Sequence, residues 1–270
     1  MALIGADFSG GLGRRLYAPS NPAGLVWALV FAVLLVVINQ LLQGVFGIIS
    51  AKTIVNGDLH SPADLIKGYM IGLFPASVLT ALCAWVLTKF KGGQPAEVLN
   101  LRRPELGGLG WVLLIGGFLV SLYGLIIVIV MVLGIDLAQY TPGESGDNSS
   151  SVGIVKQAMF DIAHDPRLFL LVLPSVVLGA PLAEEFIFRG QLFSALSQSR
   201  AGMLGATLIT SALWAVMHIT ETWLSIGLIF VMGLVFGYLL YRFGSLWITL
   251  ACHAVWNTIY SLAIFGSIQT

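Results

Sequence analysis

Seven stretches of this chain, near residues 24–49, 66–88, 109–135, 168–199, 203–220, 223–241 and 246–266, are almost unbroken runs of apolar side chains. The hydrocarbon core of a bilayer is about 30 Å thick, and about 20 apolar residues in an α-helix cross it. Each run is therefore a candidate membrane span. Composition agrees: 57% of the 270 residues are hydrophobic, 10% are charged and the mean hydropathy is +0.93. A soluble domain carries about 25% charged residues, so that class is excluded. The expected fold is an all-α polytopic membrane protein, a bundle of about seven to eight transmembrane helices around a polar intramembrane cavity.

The count reaches eight if the fourth run is broken. At 1.5 Å per residue its roughly 32 residues would make a helix of about 48 Å, longer than the core is thick. Pro174 and Pro181 lie within it and either kink it or mark where its end leaves the membrane. The first run is longer than a signal-peptide core and has no small-residue cleavage site, so it reads as a retained span. With the N-terminus inside, Arg14, Arg15, Lys89, Lys91, Arg102, Arg103, Arg200 and Arg242 fall on the inner side. Lys52, Lys67, Lys156 and Arg167 fall outside. The positive-inside rule then predicts a cytoplasmic N-terminus and an outer C-terminus.

Residues from about Ala138 to Pro166 form the longest polar connection, which begins with turn-rich residues and contains an Asn148-Ser149-Ser150 glycosylation pattern. Behind it, Val152, Val155, Met159 and Ile162 recur at helical spacing opposite Lys156, Gln157 and Asp161. That pattern predicts a short amphipathic helix lying on the membrane. Gly68-x-x-x-Gly72 and Gly233-x-x-x-Gly237 are expected to let helices approach closely. No internal repeat is visible, which counts against a transporter built from duplicated halves. Cys83 and Cys252 lack metal or redox spacing and read as small buried hydrophobes. Thirteen basic residues balance thirteen acidic ones, so no global field points to nucleic acid.

Polar residues inside the apolar runs are few. They are Glu184, Glu185, Arg189, His218, His253 and Asn257, with Asn39 apart in the first run. A charge at the bilayer centre costs at least about 2.5–3.5 kcal/mol, so each ionisable group there marks a functional site until shown otherwise. Glu185 and Arg189 stand four apart and suit an ion pair, whereas Glu184 is rotated about 100° from them on a helix. Asn39 reads as interhelical glue. Glu184 and His218 both lie about 16 residues, or roughly 24 Å, from the turn at 200–202, which puts them at one level. His253 and Asn257 share a helix face at about 13 and 20 Å from the turn near Gly244, within reach of a common cavity if that helix tilts.

A carboxylate and two imidazoles in an apolar cavity suit the activation of water. The carboxylate would take a proton from water and return it to a leaving amine, a histidine would share that proton or orient the water, and a His/Asn pair would donate to an oxyanion. The same Glu184, His218 and His253 could instead hold one divalent metal such as zinc, with an open catalytic position. There is no His-Glu-x-x-His spacing to support that alternative.

These residues resemble the motifs of the CAAX-protease and bacteriocin-processing (CPBP, or Abi) family of intramembrane endopeptidases, related to the type II CAAX prenyl protease. The family's Glu-Glu-x-x-x-Arg is Glu184, Glu185 and Arg189. Its Phe-x-x-x-His is Trp214-Ala-Val-Met-His218, with Trp in place of Phe, and its His-x-x-x-Asn is His253-Ala-Val-Trp-Asn257. A glycine-bearing span ending in Gly244-Ser-Leu-Trp247 is also similar. The resemblance covers about residues 168–262. It implies that Glu184 acts as general base with His218, that His253 and Asn257 form the oxyanion site, and that Glu185 and Arg189 brace the first motif.

The expected activity is hydrolysis of peptide bonds in membrane-associated peptides or proteins, with CAAX-type prenylated peptides, bacteriocin leaders, peptide pheromones and regulatory membrane proteins all open as substrates. The bilayer and a peptide substrate are the expected partners, and no nucleic acid is. The preferred reading requires no cofactor. A proton-coupled transporter and a non-catalytic immunity or scaffold protein are the alternatives. Residues 166–270 are expected to form the catalytic core, with 1–165 contributing further spans and the polar loop. The expected location is the bacterial inner membrane.

Overall fold

A computed structural model describes residues 17–18, 20–134, 151–219 and 221–269. Arg14, Arg15 and the Asn148 glycosylation pattern lie outside the described residues. The described residues form eight long helices and no strand: α1 (Gly24–Thr53), α2 (Pro62–Phe90), α3 (Gly108–Leu133), α4 (Ser151–His164), α5 (Pro166–Gln198), α6 (Gly202–Val216), α7 (Trp223–Phe243) and α8 (Leu246–Gln269). A single helical turn, Pro95–Val98, precedes α3. Among the described residues α1, α2, α3, α5 and α7 are long and apolar enough to cross a membrane, α6 is a shorter apolar helix, and α8 runs for 24 residues. The chain is thus a multi-pass integral membrane protein built of helices.

α5 is the long fourth run. Its 33 residues stay helical throughout, but two segments, Ser175–Gly179 and Glu185–Leu192, widen to π geometry. The Ala180 N–H bonds the Ser175 carbonyl and the Phe193 N–H bonds Phe188, each five residues back. The first wide segment begins directly after Pro174. A helix-interior proline brings no N–H and crowds the preceding turn, and single-turn π segments are one way a helix absorbs such a disturbance.

The chain divides into two compact units, both of which draw on segments before and after residue 165. The first comprises the described residues up to Leu35, then Leu82–Leu133 and Glu184–Cys252. Its core includes Tyr17, Phe193, Trp214, Phe236, Leu240, Leu246 and Ile248. α6 and α7 pack at the expected glycines: a Cβ on Gly233 would stand 2.7 Å from the Ser211 side chain, and one on Gly237 2.6 Å from Thr207. α7 ends at Gly244, whose φ of 62° is left-handed, and the Gly244 N–H closes the helix on Leu240. The following turn is pinned to the segment before α3. Ser245 donates to the Arg102 carbonyl, Trp247 to Leu101, and the Leu246 N–H to Asn100.

The second unit comprises Val36–Ala81, the described part of 134–183, and the chain from His253 onward. Its apolar centre is Ile71, Ile162, Ala163, Leu168 and Val172. Gly68 and Gly72 bring α2 against Gly47 of α1, as their spacing predicts. Thr80 donates to Asn39, the expected polar tie between spans.

α4 forms as a helix, but with a different role from the expected surface float. Ala158, Ile162 and Ala163 are buried against α2 and α5, and Asp161 pairs with the nearly buried Lys67 at 2.8 Å. Of the expected apolar face, Ile162 and Met159 pack with Ile71, Leu168 and Val172, while Val155 stays exposed.

Proline creates two further ties in this unit. Pro75 has no N–H for the carbonyl of Ile71, four residues earlier, and the Ser175 hydroxyl donates to that carbonyl at 3.1 Å. In the wide segment of α5 the rung after Ala180–Ser175 would run from residue 181 to Val176. Residue 181 is proline, and Asn257 Nδ2 donates to the Val176 carbonyl instead, at 2.9 Å. In hydrocarbon an unsatisfied backbone group costs several kcal/mol, so each orphaned acceptor needs a donor from another helix.

Candidate active site

Within the first unit the site grows from the second wide segment of α5. Glu185 and Arg189 are fully buried, with a carboxylate oxygen and Nη1 3.4 Å apart. None of the three guanidinium nitrogens has a hydrogen-bond partner among the described residues. The charge rests instead on Glu185 and on two aromatic faces, the Trp214 ring at 4.3 Å and the Phe236 ring at 5.4 Å. Cation–π contact is worth about 2 kcal/mol or more when desolvated. The ion pair expected from the i,i+4 spacing is therefore present, and it reaches α6 and α7 through aromatic rings.

Glu184 precedes this pair and is half-buried. Its Oε2 accepts a hydrogen bond from the indole Nε1 of Trp214. Trp214 is buried, and an indole N–H in an apolar helix must find an acceptor. One turn later comes His218, just beyond the end of α6. Its own N–H closes a tight turn on Ala215, which leaves the Trp214 carbonyl to the side chain, and His218 Nδ1 lies 2.9 Å from that oxygen. A carbonyl only accepts, so Nδ1 carries a proton, and in the neutral form of the ring the lone pair is on Nε2. The apolar run expected to continue as helix to about residue 220 stops at Val216. Thr222 then starts α7 by accepting from the Ser225 N–H.

Trp214 thus links Glu184 to His218. From the sequence it was an aromatic substitution in a motif; in the fold it is a donor to the carboxylate. The signal that could have found it is its indole N–H in an apolar run, four residues from a histidine. Gln191 and Ser194, on the same stretch of α5, were not singled out at all. Thr88 of α2 donates to Gln191 Oε1 at 3.1 Å, and Asn21 donates to Ser194 at 2.9 Å, so both hold the wide segment in place.

His253 and Asn257 belong to the second unit. His253 is buried, and Asn257 is the donor to Val176 described above. Within the first unit Glu184 and His218 contribute one carboxylate and one imidazole, and among the described residues no three His, Cys, Asp or Glu side chains group as metal ligands.

The family described as type II CAAX prenyl endopeptidase Rce1-like matches residues 166–259. All seven motif residues, Glu184, Glu185, Arg189, Trp214, His218, His253 and Asn257, lie within that segment. Neither the comparison with curated proteins nor the comparison with solved structures gives a match. Residues 166–259 are accordingly similar to the Rce1-like type II CAAX endopeptidases, the family whose motifs the three clusters resemble.

Proposed function

We infer that the protein is an intramembrane endopeptidase in which Glu184 activates water against a peptide bond of a membrane-associated substrate. The observation that carries this reading is the Trp214 link, which orients the Glu184 carboxylate and fixes the tautomer of His218. Glu184 takes a proton as the water oxygen bonds to the carbonyl carbon. It returns that proton to the amine as the C–N bond breaks. His218, with its lone pair on Nε2, orients the water or shares the proton. The family motifs assign the oxyanion to His253 and Asn257; one amide N–H of Asn257 holds Val176, and its Nδ2 carries a second.

The substrate class we assign is a lipid-anchored or membrane-embedded peptide, with prenylated CAAX-type C-termini tested first and leader peptides second. The test is cleavage of a quenched fluorescent peptide panel, prenylated and unprenylated, by detergent-purified wild type and Glu184→Gln, each with and without a strong chelator. Turnover that disappears with Glu184→Gln and survives chelation supports the reading. Turnover lost to the chelator and restored by a divalent ion replaces it with the metal alternative. Full turnover by Glu184→Gln overturns it.

A further inference from the structure

An apolar groove of about 680 Å³ runs between α3 and α7, lined among others by Gly110, Leu114, Gly117, Ser121, Leu239 and Arg242. Its size is that of a small-molecule site. Three features limit what can fill it. From Gly110 to Ser121 the groove follows 11 residues of helix, about 16 Å at 1.5 Å per residue, roughly half of a 30 Å hydrocarbon core. That is the depth of one leaflet.

The second feature is Arg242, in the last turn of α7. It is only 7% exposed, yet among the described residues its guanidinium has one neighbour of note, the Phe243 ring at 5.3 Å, and no hydrogen-bonded or ion-paired partner. A buried arginine at a membrane boundary calls for an anion, and its planar fork matches phosphate. The exposed residues Arg102 and Arg103 add charge at the same end, since the Arg102 carbonyl accepts from Ser245, three residues beyond Arg242.

The third feature is the glycine floor. A Cβ on Gly117 would meet nothing within 4 Å, so the space beside it is open. An open apolar channel one leaflet long, with a buried cation at its mouth, is complementary to a single anionic amphiphile.

We propose that this groove binds an anionic membrane phospholipid, with the phosphate on Arg242 and one acyl chain along Gly110–Ser121. The site stands on the groove and Arg242 alone and is independent of the endopeptidase reading.

The test uses the full chain in neutral detergent, titrated with phosphatidylglycerol or with phosphatidylcholine of the same acyl chains and read by native mass spectrometry. One phosphatidylglycerol per chain is expected, with little phosphatidylcholine retained. Arg242→Gln removes the charge and Gly117→Leu fills the channel; each is expected to weaken phosphatidylglycerol binding about tenfold or more, the scale of one charge-assisted contact. Because Gly117 has open space, Gly117→Leu is expected to keep its unfolding midpoint, and it decides the matter if Arg242→Gln folds poorly. Equal retention of the two lipids, or binding unchanged in both variants, overturns the proposal. Stoichiometric displacement of phosphatidylglycerol by a farnesylated peptide also overturns it and gives the groove to a lipidated substrate.

Discussion

Trp214 donates through its indole N–H to Oε2 of Glu184 and accepts through its carbonyl from Nδ1 of His218. One residue thereby aligns both groups assigned to the water. The motif it belongs to carries Phe at this position, and Phe has no such donor. Replacing Trp214 by Phe keeps the ring against Arg189 and Phe236 and removes the hydrogen bond alone. A hydrogen bond to a charged group contributes about 1.5–3 kcal/mol, so kcat is expected to fall about 10- to 100-fold with KM little changed. A shift in the pH profile of kcat would show the effect on Glu184; an unchanged kcat and profile would refute the positioning role.

Glu184→Gln retains an acceptor oxygen for Trp214 and loses the base. Turnover should drop by about 10²–10⁴-fold, the usual contribution of a positioned general base, while the unfolding midpoint in detergent stays within a degree or so of wild type. A large fall in the midpoint would instead mark Glu184 as part of the scaffold.

Arg189 and Glu185 are a different case, because both are fully buried. Arg189→Met leaves an uncompensated buried carboxylate and should cost about 3–5 kcal/mol of stability. Adding Glu185→Gln should recover most of that loss. Chemical denaturation in mixed micelles measures both variants, and a double variant no more stable than Arg189→Met would contradict the pairing.

Asn257 should show two separable effects. Asn257→Ala leaves the Val176 carbonyl without its donor, at a cost of about 1–3 kcal/mol. In a Pro181→Ala background the new N–H can reach Val176, and the stability cost of Asn257→Ala should shrink. If Asn257 also serves the oxyanion, turnover remains low in that background. Recovery of turnover together with stability would confine Asn257 to a structural part.

Ser175 offers the same logic with no catalytic overlay. Ser175→Ala should lower stability by about 1–3 kcal/mol through the orphaned Ile71 carbonyl. Pro75→Ala, which restores an N–H four residues later, should reduce that penalty. Equal penalties in the two backgrounds would show that the proline does not create the need.

Much of the fold was legible because hydrocarbon leaves few choices. All seven apolar runs form helices, the fifth only as far as Val216, the Gly68/Gly72 and Gly233/Gly237 pairs are close-approach points, and Asn39 ties α1 to α2 through Thr80. The polar residues of the candidate site stood out in the sequence for the same reason, since Glu184, Glu185, Arg189 and His218 are costly to place in apolar runs. What spacing left open was the partner of the apolar face of α4. An amphipathic pattern specifies an apolar face but not its partner, and Ile162 meets protein rather than lipid.

The sequence by itself determined that this chain spans a membrane as helices, which ionisable groups it carries at depth, and that residues 166–259 are similar to the Rce1-like endopeptidases. These follow from local composition and spacing, since a bilayer penalises each buried polar group one residue at a time. Only the tertiary structure decided that Trp214 is a donor to Glu184, that Ser175 and Asn257 answer carbonyls orphaned by Pro75 and Pro181, and that α5 widens twice. The side-chain ties among these depend on two segments far apart in the chain arriving within about 3 Å, the reach of a hydrogen bond. Spacing along a helix does not encode that distance.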